Sequence, residues 1–114
     1  MRIIPNLQNS KAGTVYCVIP EGRLDAVTVS DLETVLQSEL SAQHTKLVLD
    51  LGQITYLSSS GLRALLRFKR QAQLLGGDLV LSNMNSRVQE IFEMIGFTNL
   101  FRVFDRSDEA VESF

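Results

Sequence analysis

Three consecutive serines, Ser58, Ser59 and Ser60, stand between an apolar run and Gly61. The segment reads Asp50-Leu51-Gly52-Gln53-Ile54-Thr55-Tyr56-Leu57-Ser58-Ser59-Ser60-Gly61-Leu62 and leads from a buried-strand pattern into a helical one. The first turn of a helix carries unpaired N–H groups and the positive end of the helix dipole, so an anion is favoured there. A serine at such a junction has two uses. Its hydroxyl caps the helix, or it carries a phosphate that the free N–H groups stabilise. One serine suffices for a cap; three exceed that need, and Gly61 keeps the place open by presenting no side chain.

No other constellation suggests chemistry. The single histidine, His44, lies in the polar stretch Ser41-Ala42-Gln43-His44-Thr45 between a helix and a strand and reads as a solvated loop residue. Ser-His catalysis would need it to approach a serine. Turns that lead from helix to strand and from strand to helix lie at opposite ends of a parallel sheet, which opposes that approach. Gly76-Gly77 has neither the spacing of a dinucleotide fingerprint nor a following Lys-Ser/Thr. The carboxylates are scattered singly. Cys17, the one cysteine, sits in the apolar run Thr14-Val15-Tyr16-Cys17-Val18-Ile19 and reads as a buried strand thiol. We therefore expect no catalytic residue, no cofactor and no metal.

The bulk numbers agree. A chain of 114 residues, 45% hydrophobic and 21% charged, has ordinary globular composition and room for one domain over 1–114 with its own core. A formal net charge of −2 gives no electrostatic reason to seek nucleic acid or an anionic membrane. The start, Met1-Arg2-Ile3-Ile4-Pro5-Asn6, forms no signal-peptide core, and no stretch approaches the roughly 18 apolar residues of a membrane helix. The expectation is a cytoplasmic protein with no membrane insertion.

The elements that must position the serines follow from periodicity. Residues 3–7 and 14–19 look like strands joined by the turn formers Asn9-Ser10-Lys11-Ala12-Gly13, an antiparallel hairpin. Pro20-Glu21-Gly22-Arg23-Leu24-Asp25 reads as a loop. Ser30 and Glu33 have the spacing of a capping box, and Leu32, Val35, Leu36 and Leu40 recur at helical spacing. Lys46-Leu47-Val48-Leu49-Asp50-Leu51 reads as a strand buried on both faces, or nearly so. A second helix starts close to Ser58, with Leu62, Leu65, Leu66 and Ala72 on one side, Lys69 at its edge and Gly76-Gly77 as its stop. A strand at 78–82 follows. Ser86 and Gln89 suggest another capping box, with Val88, Ile91, Phe92 and Ile95 on one face and Gly96 at the end. The last elements are a strand at 101–104 and a short helix capped by Ser107, with Asp108 and Glu109 in its first turn. Met94, Phe97, Leu100 and Phe101 read as core, with a self-association patch as the alternative. The order β-β-α-β-α-β-α-β-α implies an α/β fold. Its sheet is mixed and mostly parallel, of four to five strands, with about four helices and an N-terminal antiparallel hairpin.

The stretch from Asp50-Leu51 to Leu57-Ser58-Ser59-Ser60-Gly61-Leu62 resembles the signature of the STAS domain, the anti-sigma factor antagonist family. The form usual there is Asp-Leu, a short apolar linker, then Asp-Ser-Ser/Ala-Gly-Leu. Gly22-Arg23-Leu24-Asp25 is similar to the family's second marker, Gly-x-Leu/Ile-Asp, and the element order matches over nearly the whole chain. The resemblance implies phosphorylation of the serine after the aspartate, here Ser59, by a partner kinase of the anti-sigma type. Ser60 takes the small-residue place before Gly61. Ser58 stands where the family usually has aspartate, a departure that weakens kinase recognition, signals another partner or moves the modified residue to Ser58. Ser59 is the first choice as phosphoacceptor and Ser58 the second.

The implied contact surface comprises Asp25, Ser58, Ser59, Ser60, Gly61, Leu62 and Arg63. Arg63 replaces a residue that is frequently small in the family; four positions after Ser59, it pairs with a phosphate there or with an acidic partner, or else stays solvated. Asp25 either steadies its loop or lies beside Ser59 on one rim. The implied partners are an anti-sigma factor that is a serine kinase of the ATPase type, and a protein phosphatase. On this reading the unphosphorylated protein binds the anti-sigma factor and frees its sigma factor. The alternative is a STAS-type binding subunit of a transport or other assembly, without a phosphorylation switch.

Overall fold

Leu47, Leu49, Leu79 and Leu81 alternate with Val48 and Val80 along two adjacent strands, and this period of two sorts the fold into layers. The computed structural model describes residues 1–96 and 98–114. Its elements are β1 (Arg2–Ser10), β2 (Gly13–Leu24), α1 (Val29–Ser41), β3 (Lys46–Asp50), β4 (Ile54–Leu57), α2 (Ser59–Leu74) and β5 (Asp78–Ser82). There follow α3 (Ser86–Ile95), a 3-10 turn at Thr98–Leu100, β6 (Val103–Phe104) and α4 (Ser107–Glu112). The leucines face the main core, against Leu32, Leu36 and Leu40 of α1, Leu62, Leu65, Phe68 and Ala72 of α2, and Val88 and Phe92 of α3. The valines, with Val15 and Cys17, face Ala110 and Val111 of α4.

The sheet runs β1-β2-β3-β5-β6, with β4 paired to β2 off that path. Among the described residues only the β1–β2 hairpin is antiparallel; β2–β3, β2–β4, β3–β5 and β5–β6 are parallel. The α/β class, the mixed and mostly parallel sheet, the N-terminal hairpin and the four helices are thus as expected. The sheet has six strands because β4, too short to carry a periodic signal, occupies what reads as a loop. The hairpin is also longer than the apolar runs that mark it: β1 is largely exposed and β2 continues through Pro20 to Leu24.

Local signals misplace several caps. Thr28, not Ser30, precedes α1; Glu33 instead forms an ion pair with Arg67 of α2. Asn85 caps α3 by accepting from the Val88 N–H at 2.9 Å, and Ser86 lies inside the helix. Ser107 is the first residue of α4; its hydroxyl donates to Asp50 Oδ2 at 2.9 Å and lies 2.8 Å from Ser82 Oγ, so it ties α4 to the ends of β3 and β5. The last strand covers only Val103–Phe104. Lys69 is buried rather than at an edge, its ammonium 2.7 Å from Asp78 Oδ1. His44 is half-buried, not solvated: its ring stacks on Tyr16 at 3.9 Å and Nδ1 lies 2.6 Å from Glu39 Oε2. Of the residues read as core near the end of α3, Phe101 is buried, Met94 and Leu100 are exposed, and Phe97 lies outside the described residues.

Candidate functional site

β3 stops at Asp50, but the chain does not leave the sheet. Asp50 Oδ1 accepts from the Gly52 N–H at 2.9 Å and closes a tight turn, after which β4 resumes beside the far end of β2. The pairing aligns Arg23 with Tyr56 and Leu24 with Leu57. A bulge interrupts the register between Gly22 and Arg23, and Gly22 takes φ +99°, a conformation that favours glycine. Arg23 lies over the Tyr56 ring, its guanidinium carbon 4.4 Å from the centroid. Two strands in step release their following loops side by side.

Both loops are locked at that point. After β2, Asp25 Oδ1 accepts from the N–H groups of Val27 at 3.0 Å and Thr28 at 3.1 Å. Thr28 Oγ1 accepts from the Asp25 N–H at 3.0 Å and donates to the Arg23 carbonyl at 2.6 Å. The N–H donors of Thr28 and then Val27 hold the Asp25 carboxyl below its ordinary pKa, with smaller help from the Thr28 hydroxyl and Arg23. After β4, the Ser58 N–H donates to the Leu24 carbonyl at 2.9 Å. Ser58 is the N-cap of α2, and its Oγ accepts from the Gly61 N–H at 3.2 Å.

The three serines therefore differ. Ser58 is partly buried and its oxygen is engaged; Ser60 is partly buried; Ser59, the first residue of α2, is exposed. Gly61 is not an opening. A Cβ there would stand 3.0 Å from both Cγ and the carbonyl oxygen of Leu24 and 3.2 Å from Leu57, so glycine lets α2 approach the end of β2. Gly61 and Leu62 are buried and set where Ser59 and Arg63 stand without offering surface themselves. Arg63 is exposed one turn beyond Ser59. Asp25 both steadies its own turn and follows directly on Leu24, the residue that Ser58 holds.

The sequence reading missed one part of this surface. A groove of about 230 Å³ runs between α2 and α3, lined by Tyr56, Leu57, Ser59, Ile91, Met94 and Ile95. The Asn85 side chain that caps α3 also donates to the Ile54 carbonyl at 2.8 Å and so binds the start of α3 to β4. Met94 falls between the helical positions that mark the core face, a signal that would have found it. Among the described residues no group of His, Cys, Asp and Glu is arranged to hold a metal, and no helix is long and apolar enough to cross a membrane.

Residues 6–110 match the STAS domain family. Among curated proteins, the chain is 33% identical over 94 residues to the "Putative anti-sigma factor antagonist BtrV" of Bordetella bronchiseptica, covering 82% of this chain and 81% of that one. Among solved structures, an anti-sigma factor antagonist from Mycobacterium paratuberculosis superposes with a TM-score of 0.79 at 21% identity, covering 96% of this chain and 92% of that one. The anti-sigma factor antagonist SpoIIAA in its unphosphorylated form gives a TM-score of 0.73 at 17% identity, with 95% and 93% covered. SpoIIAA of Bacillus in the phosphorylated form gives 0.65 at 16% identity, with 95% and 96% covered. At these identities the structures speak for the fold alone.

Proposed function

This chain belongs to the STAS domain family, and we propose that it is an anti-sigma factor antagonist whose binding is switched by phosphorylation of Ser59. Unmodified, it binds an anti-sigma factor of the serine-kinase, ATPase type and frees the sigma factor in the cytoplasm. Phosphorylated by that kinase, it lets go; a protein phosphatase resets it. The chain is substrate and ligand, the ATP belongs to the partner, and no enzymatic role is assigned to it.

The observation that carries this reading is the division of labour between Ser58 and Ser59. Ser58 Oγ is used by the cap, whereas the neighbouring hydroxyl is exposed at the first residue of α2. A phosphate on Ser59 would sit where N–H groups and the helix dipole favour an anion. The family's usual aspartate before that serine is here Ser58. Both residue types are good N-caps, so Ser58 keeps the local geometry and gives up only the negative charge. The names of the relatives support the same reading: one is called an anti-sigma factor antagonist, and SpoIIAA is described in unphosphorylated and phosphorylated forms.

The switch is electrostatic. Phosphorylation adds about −1.5 to −2 charge. Enclosed in an interface formed by the accessible residues within 22–28 and 56–63, that charge is costly unless paired, and the complex dissociates. Incubation with ATP and the anti-sigma kinase, followed by mass-spectrometric mapping, tests the assignment. Phosphate on Ser59 is expected. Stable binding without phosphate, by a kinase active on another substrate, would favour a binding subunit without a switch.

A further inference from the structure

The proposed phosphoacceptor forms part of the wall of the groove between α2 and α3. Apart from Ser59 and the Tyr56 phenol, its lining is aliphatic: Leu57, Ile91, Met94 and Ile95. Two of these residues project into solvent, Met94 at 86% exposure and Ile95 at 42%. The opposite face of α3 turns inward, burying Val88 and Phe92 completely. At about 230 Å³ the groove is smaller than the roughly 300–1,000 Å³ typical of small-molecule pockets.

The charge beside it is divided between its walls: α3 carries the exposed carboxylates Glu90 and Glu93, and the α2 side is cationic. α2 carries Arg63, Arg67, Lys69 and Arg70 and no carboxylate, in a chain of net charge −2. Glu33 takes up Arg67 and Asp78 takes up Lys69. Arg63 is exposed, and its i, i+4 spacing puts it on the same helix face as Ser59. An apolar slot next to an outward cation is complementary to a chain segment with a large apolar side chain and a nearby carboxylate.

We infer that this groove is the anchor site for the anti-sigma factor: a large apolar side chain of the partner enters between Tyr56, Met94 and Ile95 while a partner carboxylate meets Arg63. The inference rests on the function proposed above and adds the means by which Ser59 controls it. An apolar side chain settles in the groove only if the wall beside it gives up its water. A phosphate on Ser59 holds that water tightly. The same phosphate competes for Arg63 with the partner's carboxylate. One modification thus removes both halves of the contact.

The matched control is Leu74, also 86% exposed, at the other end of α2 and about 22 Å from Ser59 along the helix. Met94→Glu and Leu74→Glu make the same chemical change at equal exposure. Isothermal titration against the anti-sigma kinase is expected to show at least a tenfold loss of affinity for Met94→Glu. Leu74→Glu should stay within twofold, Met94→Leu should bind like the wild type, and all three should keep the wild-type melting profile. Wild-type binding that Met94→Glu leaves intact, or that both glutamates weaken equally, overturns the groove and leaves the proposed function standing. A wild-type protein that the kinase does not bind overturns both. Sedimentation that finds a dimer dissociated by Met94→Glu assigns the groove to a second copy and also overturns the proposal.

Discussion

Leu24 and Leu57 are register partners in the parallel pair of β2 and β4, and the next N–H, that of Ser58, donates to the Leu24 carbonyl at 2.9 Å. This short ladder joins the turn of Asp25 to the start of α2. It makes one rim of segments that are some thirty residues apart in the sequence. The exposed Ser59 is therefore held on a fixed scaffold.

The cap and the proposed phosphoacceptor should separate by mutation. Ser58→Ala removes the oxygen that accepts from Gly61 and should cost about 1 kcal/mol in denaturant unfolding. Ser59→Ala, at an exposed position, should change stability by less than about 0.5 kcal/mol. Phosphate incorporation should show the reverse order, surviving in Ser58→Ala and vanishing in Ser59→Ala. Incorporation lost only in Ser58→Ala would exchange the roles.

Gly61→Ala tests the close approach of α2 to β2. The added carbon meets the Leu24 carbonyl at 3.0 Å, a backbone atom with little room to move. Overpacking costs about 1–3 kcal/mol. The helix preference of alanine returns at most about 1 kcal/mol. A net loss of roughly 1 kcal/mol in chemical denaturation is expected from that balance. A variant more stable than the wild type would show that glycine is not required for packing here.

The Asp25 carboxyl should titrate below the ordinary carboxylate range in an NMR experiment that follows its side-chain carbon. Its folded-state pKa is lowered chiefly by the Thr28 and Val27 N–H donors. The sign follows: the stabilisation is present above the unfolded-state pKa and is lost as pH falls through the folded one. Thr28→Val removes a hydroxyl that donates chiefly to the Arg23 carbonyl and reaches Asp25 Oδ1 only at 3.3 Å, and it leaves both N–H groups, so the midpoint should rise only slightly. A wild-type midpoint at or above the ordinary value would mean that the turn is not formed in solution.

Much of this was legible in the sequence, because buried strands and amphipathic helices write their periods plainly. Leu47-Val48-Leu49 and Leu79-Val80-Leu81 announce strands buried on both faces, and Leu62, Leu65 and Ala72 announce the core face of α2. What failed was short or non-local. β4 has four residues, and its evidence is a partner strand remote in sequence. The spacing of Ser30 and Glu33 satisfied a capping rule, but Arg67 on another helix offered Glu33 a better partner. Ser107 matched a cap and was taken instead by Asp50 and Ser82. Lys69 looked peripheral because nothing nearby foretells Asp78 folding back upon it. Within the site, the serines and Gly61 were visible as a motif. The groove was not, because its walls come from β4, α2 and α3 together.

The most direct measurement is the affinity of the anti-sigma kinase for two preparations of this protein, one unmodified and one phosphorylated stoichiometrically on Ser59. The first should bind tightly and the second at least a hundredfold more weakly, about 2.7 kcal/mol or more. Equal affinities for the two would contradict the proposed switch, since the charge on Ser59 would then leave the interface untouched.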